Sequence, residues 1–265
     1  MKNEVSIKLQ GGLGNNLFQI ACAYAYSLRH NKELILTNEK FGITHNGLDT
    51  YKDNILVEVD FTEKCNLSKF KGYNEPFFHY QEIPKIEDSI YLNGYYQSEK
   101  YFLDFEKEIR ELFYFPAEIR NVIKEKYKEI LNKNTCSIHV RRGDYLKFPD
   151  HHPVQSVNYY MKAIRTMPED SLFLIFSDDI NWCKQNFPNI ENKFMFIEGN
   201  KDYEDLLLMS LCKNNTICNS SFSWWGAWLN ENENKIVVAP SKWFGAANSS
   251  VNNTVDLYCK NWKVI

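Results

Sequence analysis

Long apolar runs, paired cysteines and a secretory start are all missing from this sequence. No apolar stretch approaches the roughly 18 residues that a membrane-spanning helix requires. Residues 1–5 lack the apolar core of a signal peptide. The seven cysteines form no C-x-x-C pair and no zinc-ligand spacing. We therefore expect a cytoplasmic protein whose thiols are reduced and mostly structural.

Several catalytic and binding motifs are missing as well. The chain has no G-x-S-x-G elbow, no Gly-Lys-Ser/Thr phosphate loop and no D-x-D pair that could bridge a metal ion. His79, His151 and His152 do not stand in metal-ligand spacing with one another. The net charge of −3 gives no general attraction to nucleic acid, so a basic site must be a local pocket.

The order of predicted strands and helices indicates an α/β protein. Strands are predicted in the second half at residues 135–140, 172–176, 194–197, 216–218 and 235–239. Helices are predicted between them at residues 156–167, 181–186, 203–212 and 224–229. This alternation is typical of a parallel, doubly wound sheet.

The first half opens with a strand, a glycine loop and a helix, at residues 5–9, 10–16 and 17–29. Further strands are predicted at 34–36 and 90–97, and helices at 105–113 and 116–131. The region 37–87 has no readable periodicity. Because residues 132–134 are polar, we place a boundary there and predict two lobes, residues 1–132 and 133–265.

The glycine loop is the first candidate site. Gly11, Gly12 and Gly14 would let the backbone approach an anion, and the following helix start offers unpaired N–H groups. A tight structural turn explains the same glycines equally well. The third glycine of a dinucleotide-binding fingerprint is missing.

The second candidate site follows the strand at 135–140. Arginine presents a rigid fork of donors that matches phosphate oxygens, and ligands bind beyond the carboxyl ends of strands in open α/β sheets. His139 and Arg141 share one face of the strand, whereas Arg142 takes the other. One arginine can then face an anion while the other braces a neighbour. A buried structural ion pair is the alternative interpretation.

Hydroxyl groups mark a third candidate site at the start of the last predicted helix. Ser220, Ser221 and Ser223 stand between a strand end and a helix start, where hydroxyls and backbone N–H groups can hold an anion. Capping of the helix explains one serine well and three poorly. The tryptophans that follow, Trp224, Trp225 and Trp228, are expected in the core.

Three acidic residues have open roles. Asp178 and Asp179 follow a predicted strand, and they can bind a metal, act as a base or cap a helix, capping being favoured for one of them. Asp205 stands in a helix next to apolar residues, where a carboxylate is costly to bury unless it is paired. It either accepts a hydrogen bond from a ligand or faces water.

Five stretches, taken together and in this order, resemble one family, the bacterial α-1,2-fucosyltransferases of glycosyltransferase family 11. They are residues 11–19 (GGLGNNLFQ), 94–102 (GYYQSEKYF), 139–145 (HVRRGDY), 176–179 (FSDD) and 219–229 (NSSFSWWGAWL). The arginine stretch and the tryptophan-rich stretch are highly specific, whereas the glycine loop alone is not.

The resemblance implies a fold and an activity. It implies a GT-B-like α/β fold, in which two Rossmann-like lobes with parallel sheets face a cleft, the first lobe on the acceptor side and the second binding the donor nucleotide. The donor would be GDP-L-fucose, the acceptor a galactose-terminated glycan in surface glycan or O-antigen synthesis, and the anomeric carbon would be inverted. No metal or other cofactor is implied, and contact with a lipid-linked glycan at the inner face of the membrane stays open.

The resemblance also implies roles for individual residues. Arg141 would hold the donor pyrophosphate, His139 and Asp205 would contact guanine, and Ser223 would contact phosphate beside Asn16. Asn16 departs from the family, which has Gln at that position. The complete donor-binding set comprises Gly11, Gly12, Gly14, Asn15, Asn16, His139, Arg141, Arg142, Asp205, Ser220, Ser221, Phe222 and Ser223.

The catalytic candidates are Arg141, Asp144 and Asp178. Without a metal, fixed donors must stabilise the charge that grows on the departing GDP. Asp144 is either the base that deprotonates the acceptor or the residue that orients Arg141, and Asp178 is the other candidate base. Acceptor specificity is expected in the regions 37–87 and 146–155.

Two alternative functions fit parts of the sequence. A nucleotide-dependent oxidoreductase would use the glycine loop with an acidic residue about 20 residues beyond it, near which Glu33 stands, but it gives the paired arginines no role. A non-catalytic sugar-nucleotide-binding module would bind GDP without transferring or hydrolysing a sugar.

Overall fold

Two α/β units make up the chain in a computed structural model, which describes residues 3–37, 47–62, 66–188, 190 and 193–265. The first unit comprises the described residues of Met1–Pro116 together with Asn253–Cys259, and the second comprises those of Ala117–Asn252 together with Lys260–Ile265. Parts of the predicted acceptor region, residues 38–46 and 63–65, lie outside the described residues.

The first unit is built on parallel strands. Its strands are β1 (Glu4–Ile7), β2 (Glu33–Leu34), β3 (Leu36–Thr37), β4 (Phe61–Thr62), β5 (Lys71–Asn74) and β6 (Ile90–Asn93), and its α-helices are α1 (Leu13–His30) and α2 (Glu106–Leu112). Within the described part, β2, β1, β6 and β5 form one parallel sheet in that order, and β3 pairs with β4.

The second unit has the longer sheet. Its strands are β7 (Thr135–Val140), β8 (Leu172–Ser177), β9 (Phe194–Phe196), β10 (Asn214–Thr216), β11 (Val237–Ala239) and β12 (Lys263–Val264). Its helices are α3 (Ala117–Lys126), α4 (Lys128–Leu131), α5 (Val157–Ile164), α6 (Ile180–Asn186), α7 (Asp202–Leu211), α8 (Ser221–Trp228) and α9 (Ala246–Ser249). The described strands lie in the order β12-β11-β10-β7-β8-β9, and every pair is parallel. The predicted α/β class with parallel sheets is confirmed.

Burial explains why the central strands form where they do. β7 is buried at every position, and β8 is buried from Leu172 to Phe176, as expected of parallel strands that helices cover on both faces. Tyr159 and Tyr160 of α5 pack into the core on one side of this sheet. Trp224 and Trp225 of α8 are fully buried and lie edge to face with 5.2 Å between their ring centroids, which confirms their predicted place in the core.

Helix α1 begins earlier than predicted, at Leu13 instead of residue 17. The carbonyl oxygen of Gly12 accepts a hydrogen bond from the backbone N–H of Asn16, so the helix starts within the glycine loop. It ends at His30, and the next residue, Asn31, adopts the left-handed conformation (φ 50°) that commonly terminates helices. The loop and the helix therefore form one continuous segment.

The boundary between the units follows Pro116, whereas the sequence placed it at residues 132–134. Helix α3 packs against α7 of the second unit. The hydroxyl of Tyr127, just beyond α3, donates a hydrogen bond to Asn200 Oδ1 at 3.0 Å. The charged helical segment at 117–131 therefore belongs to the second unit, because its apolar side is covered there.

The segment Asn253–Cys259 returns to the first unit, where Asp256 holds it. The carboxylate of Asp256 is 13% exposed, pairs with Lys100 Nζ and accepts the backbone N–H of Tyr80 at 3.1 Å. Its carbonyl oxygen accepts the hydroxyl of Ser98 at 2.6 Å. None of the helices in the described part of the chain combines the length and the apolar character that crossing a membrane requires.

We expect Asp256→Ala to lower the free energy of unfolding by about 1–3 kcal/mol, because the N–H of Tyr80 loses its acceptor and Lys100 loses its partner. Asp256→Asn retains one side-chain carbonyl oxygen and should lose less. Urea unfolding monitored by fluorescence measures the difference. Equal stability of Asp256→Ala and the unmodified protein would contradict the role given to this carboxylate.

Candidate functional site

The central strand of the second sheet positions the two arginines. β7 pairs with β8 on one side and with β10 on the other. Because the three strands are parallel, the residues that follow them meet at one edge of the sheet, where ligands bind in folds of this kind. This edge carries Arg141 and Arg142 after β7, Asp178 and Asp179 after β8, and the loop that leads from β10 to α8.

Arg141 is held between two carboxylates. Its Nη2 lies 2.8 Å from Asp144 Oδ1, and its Nε lies 3.0 Å from the same oxygen and 3.1 Å from Asp178 Oδ2. Its Cζ lies 5.8 Å from the ring centroid of Tyr145. Burial alone would lower the pKa of Arg141, but the charges of Asp178 and Asp144 raise it above its ordinary value. The guanidinium is therefore a fixed cation, and its side chain is 29% exposed.

Arg142 braces helix α6. Its Nε donates to Asp179 Oδ2 at 3.0 Å, and its guanidinium lies over the ring of Trp182 with 3.8 Å between Cζ and the centroid. Asp179 caps α6 by accepting the backbone N–H of Trp182 at 3.2 Å, as expected for one of the two aspartates. The hydrogen bond from Arg142 lowers the pKa of Asp179. These contacts are those of a structural ion pair, the alternative considered for one of the arginines.

Asp178 connects the two arginines. Its Oδ2 contacts the Arg141 side chain, and its Oδ1 accepts the backbone N–H of Arg142 at 2.9 Å. A Cβ on Gly143 would lie 2.6 Å from Asp178 Oδ2, so a side chain at this position would displace the carboxylate. The glycine of the arginine stretch is therefore required by the close approach of Asp178.

Asn219 and Tyr145 fix the loop that leads into α8. Asn219 is buried, its Nδ2 donates to the carbonyl oxygens of Pro153 and Trp243 at 3.0 Å each, and its Oδ1 accepts Gln155 Nε2 at 3.0 Å. The hydroxyl of Tyr145 donates to the carbonyl oxygen of Asn219 at 2.8 Å. The loop is thereby attached to the segment that carries Asp144.

His139 lies in a buried pocket with Cys218 and the start of α8. Its Nδ1 lies 3.2 Å from Cys218 Sγ, and its ring centroid lies 5.5 Å from that of Phe222. Burial, assisted by the charge of Arg141, lowers the pKa of His139 to about 3. The imidazole is therefore neutral at physiological pH, so it can donate and accept hydrogen bonds but contributes no charge.

The serines stand at the start of α8, with Ser220 as the residue before the helix. Ser223 is buried, and its hydroxyl donates to the carbonyl oxygen of Ser220 at 3.2 Å. Cys218 Sγ lies 3.8 Å from this hydroxyl, which links the helix start to His139. The predicted contact between Ser223 and a phosphate stays a prediction.

Asp205 lies in a cluster of its own. Its Oδ1 accepts a hydrogen bond from Asn200 Nδ2 at 2.9 Å, and Asn200 in turn accepts from Lys126 and Tyr127. Burial raises the pKa of Asp205 to about 7, and the hydrogen bond from Asn200 offsets part of this effect. The carboxylate is thus paired with an amide, which is the condition that its burial requires, and its contact with guanine stays a prediction.

The glycine loop lies in the first unit, where hydrogen bonds of side chains from the same unit stabilise it. Gly11 adopts φ 80°, which strains any residue with a side chain. Asn16 is buried, and its Nδ2 donates to Gln10 O and to Gln19 Oε1 at 3.2 Å each. Asn15 Oδ1 accepts Gln97 Nε2 at 2.8 Å. In this arrangement the amide hydrogens of Asn16 stabilise the loop itself.

The structure brings part of the predicted site together. One cluster contains Arg141, Arg142, Asp144, Asp178 and Asp179, and a second, joined through Cys218, contains His139, Phe222 and Ser223. The structural roles of Tyr145, Cys218 and Asn219 were missed. The signal for Asn219 was a buried amide directly after a strand, where unpaired backbone groups need partners.

We expect the imidazole of His139 to remain neutral between about pH 5 and 8. Because the unfolded chain protonates it near about pH 6.5 and the folded chain does not, its contribution to the free energy of unfolding falls as the pH drops below that value. The NMR signals of its ring, identified by their loss in His139→Gln, should not move with pH over this range. A titration midpoint near about pH 6.5 would contradict the buried, neutral state.

Comparison with known sequences identifies the family. The model of "Glycosyl transferase family 11" matches residues 54–265. The chain is 35% identical to an α-1,2-colitosyltransferase of Escherichia coli, over 91% of this chain and 92% of the relative. It is 31% identical to the O-antigen biosynthesis glycosyltransferase WbnK of Escherichia coli, over 91% of this chain and 95% of the relative.

Comparison with solved structures agrees at the level of the fold. The chain superposes on the NodZ α-1,6-fucosyltransferase co-crystallised with GDP with a TM-score of 0.54 and 14% identity, over 85% of this chain and 92% of that one. The likeness shows a shared GT-B-like fold. The chain belongs to glycosyltransferase family 11 and is a glycosyltransferase.

Proposed function

We propose that the protein transfers L-fucose from GDP-L-fucose to the 2-hydroxyl of a terminal β-galactoside, with inversion at the anomeric carbon and without a metal ion, in surface glycan or O-antigen synthesis. The observation that carries the proposal is the guanidinium of Arg141, held by Asp144 and Asp178 at the carboxyl end of β7 in a chain of family 11. Transfer of a fucosyl group leaves negative charge on GDP, and a fixed cation stabilises that charge.

The contacts of Arg141 support a role with the pyrophosphate. Asp144 and Asp178 occupy Nε and Nη2, so among the described residues Nη1 has no partner and is available to an anion. The two carboxylates fix the orientation of the guanidinium before the donor binds. Less reorganisation is then needed when charge develops on the leaving group.

Two further groups of the second unit support recognition of the nucleotide. His139 is uncharged and can exchange hydrogen bonds with a base. Asp205 is a carboxylate acceptor whose partner is an amide, and it can accept N–H groups of guanine as the resemblance implies. The NodZ α-1,6-fucosyltransferase was co-crystallised with GDP, which agrees with a guanine nucleotide as the leaving group.

A second donor is favoured by one observation. The relative at 35% identity is named for transfer of colitose in an α-1,2 linkage. Colitose is fucose without its 3-hydroxyl, so a fucosyltransferase site could accept its GDP derivative. Incubation with GDP-fucose or GDP-colitose and a panel of galactosides, followed by linkage analysis, tests both donors. The absence of any transfer and of donor hydrolysis, despite GDP binding, would favour a non-catalytic binding module.

We expect Arg141→Ala to lower kcat for sugar transfer by at least about 10-fold, because a charge-assisted hydrogen bond contributes about 1.5–3 kcal/mol. Arg165→Ala removes an exposed arginine of the same unit and serves as the matched control. Steady-state assays with each variant, after circular dichroism has shown an intact fold, make the measurement. Near-normal turnover of Arg141→Ala would refute its assigned role.

We expect Asp144→Asn to lower kcat/KM by about 10-fold or less and to leave the shape of the pH profile unchanged, because the carboxylate orients Arg141 through a charge-assisted contact. A loss of the rise in kcat/KM on the acid side of the profile would instead identify Asp144 as the proton acceptor. Full activity with an unchanged profile would exclude both roles.

A further inference from the structure

The loop between β9 and α7 lies at the same sheet edge as the two arginines. β9 runs beside β8 and parallel to it, so the residues that follow β9 emerge at the carboxyl edge of the second sheet. The chain then turns at Gly199, whose φ of 78° favours glycine, and enters α7 at Asp202. Asp205 therefore lies in the first turn of a helix that begins at the edge where ligands bind in open α/β sheets.

Asp205 differs from the two other acidic residues of this turn, whose side chains bond the backbone at the helix start. Glu204 Oε2 accepts the backbone N–H of Lys201 at 2.7 Å, and Asp202 Oδ1 accepts that of the next residue at 2.8 Å. The side-chain partner of Asp205 is instead the amide of Asn200. Asp205 is half-buried, and its Oδ2 has no partner among the residues that the structure describes. The carboxylate therefore keeps an acceptor oxygen for a ligand.

The amide of Asn200 can face Asp205 in one orientation only. Its Oδ1 accepts hydrogen bonds from Lys126 Nζ at 2.6 Å and from the hydroxyl of Tyr127 at 3.0 Å. An ammonium group donates and cannot accept, so the atom that faces Lys126 must be the amide oxygen. The amide nitrogen is thereby directed to Asp205 Oδ1, to which it donates at 2.9 Å.

The two donors come from the charged helical segment that the sequence assigned to the first lobe. Lys126 is the last residue of α3, and its Nζ lies 5.3 Å from the ring centroid of Tyr127. Tyr127 is buried, with 7% of its surface exposed, and α3 packs against α7. All of these contacts lie within the second unit. One amide thus connects two helices and holds a donor at a fixed position beside Asp205.

The hydrogen bond from Asn200 also favours the charged form of Asp205. Burial, assisted by the charges of Asp202 and Glu204 on the same helix, raises the pKa of Asp205 to about 7. The hydrogen bond from Asn200 opposes this rise, and the charge of Lys126 on α3 opposes it to a smaller extent. An ionised carboxylate accepts through both oxygens, whereas protonation turns one of them into a donor. Loss of the amide would therefore leave fewer molecules with a two-oxygen acceptor near neutral pH.

We propose that Asn200 is a positioning residue that orients the carboxylate of Asp205 for recognition of the guanine base of the donor. The inference rests on the proposed function, in which the donor is a guanosine diphosphate sugar. Guanine carries two adjacent donors on one edge, N1–H and the 2-amino group, and the two oxygens of a carboxylate match such a pair. Asn200 does not contact the base and acts through Asp205.

The test measures discrimination between GDP and inosine diphosphate (IDP), which lacks the 2-amino group of guanine. In the unmodified protein at pH 8 we expect GDP to bind at least about 10-fold more tightly, the usual minimum when a hydrogen bond to a charged group is removed. In Asn200→Ala this preference should fall by at least about threefold, because the carboxylate loses the donor that orients it. Calorimetric titration with each nucleotide gives both affinities.

Asn232→Ala is the matched control. Asn232 is half-buried like Asn200, and its side chain also donates and accepts, to the carbonyl oxygen of Lys213 at 2.9 Å and from the N–H of Asn234 at 3.3 Å. Lys213 directly precedes β10, so this asparagine lies at the amino edge of the sheet. Asn232→Ala should keep the preference for GDP within about twofold of that of the unmodified protein.

The pH dependence is a readout that a merely structural asparagine would not move. In the unmodified protein the preference for GDP should increase between about pH 6 and 8, because Asp205 ionises over this range. The diphosphate groups of GDP and IDP titrate alike, so their effects cancel in the ratio of affinities. In Asn200→Ala the increase should move to higher pH, since the pKa of Asp205 rises when the hydrogen bond from the amide is lost.

Two results would overturn the inference. One is a preference for GDP in Asn200→Ala that stays within about twofold of the unmodified protein at every pH. The other is an equal weakening of both nucleotides with no shift along the pH axis, which is the result expected of a structural loop contact.

A second variant decides if Asn200→Ala does not fold. Asn200→Asp retains acceptors for Lys126 and Tyr127 but presents a negative oxygen to Asp205 in place of a donor, so the preference for GDP should fall by at least about threefold. An unchanged preference in this variant would overturn the inference. If the unmodified protein binds GDP but transfers no sugar to any galactoside, the proposed function itself has failed.

Discussion

A guanidinium held by two carboxylates at the end of a buried strand is the constraint on which the second unit depends. Arg141 is the first residue after β7, and it pairs with Asp144 and Asp178, which lie in two different segments. Such a cluster is costly to assemble because charges lose water, and a partner removed singly leaves an unpaired charge. The glycine at 143 is required by this cluster, because a Cβ there would lie 2.6 Å from Asp178 Oδ2.

The sequence predicted the hydrophobic part of the fold well. The strand at 135–140 was located to the residue, and that at 172–176 to within one, because apolar runs covered on both faces are distinctive. β10 was placed too late, since it begins at Asn214 and Asn215, whose buried amides bond Asn134 Oδ1 at 3.3 Å and Ser137 Oγ at 2.8 Å. Hydropathy cannot anticipate polar side chains that find their partners inside the protein. β5 was missed for a similar reason, being short, polar and at the edge of its sheet.

The sequence also predicted part of the residue cluster at the candidate site. Convergence of the arginines with Asp178 followed from the rule that parallel strands end at one edge, and the structure has these contacts. The different contacts of Arg141 and Arg142 could be assigned only from side-chain geometry, in particular from the stacking of Arg142 on Trp182. The contact of the Glu75 carboxylate with the backbone N–H of Tyr95 could not be predicted, because Tyr95 follows a different strand, 20 residues further along the chain.

The return of Asn253–Cys259 to the first unit has a consequence for biogenesis. Domains generally fold as units, beginning at the N-terminus while synthesis continues. Here the first unit lacks the hydrogen bonds that Tyr80 and Lys100 donate to Asp256 until residues 253–259 have left the ribosome. These contacts of the first unit therefore form only after most of the second unit has been synthesised. A fragment that ends at Pro116 would lack these hydrogen bonds permanently.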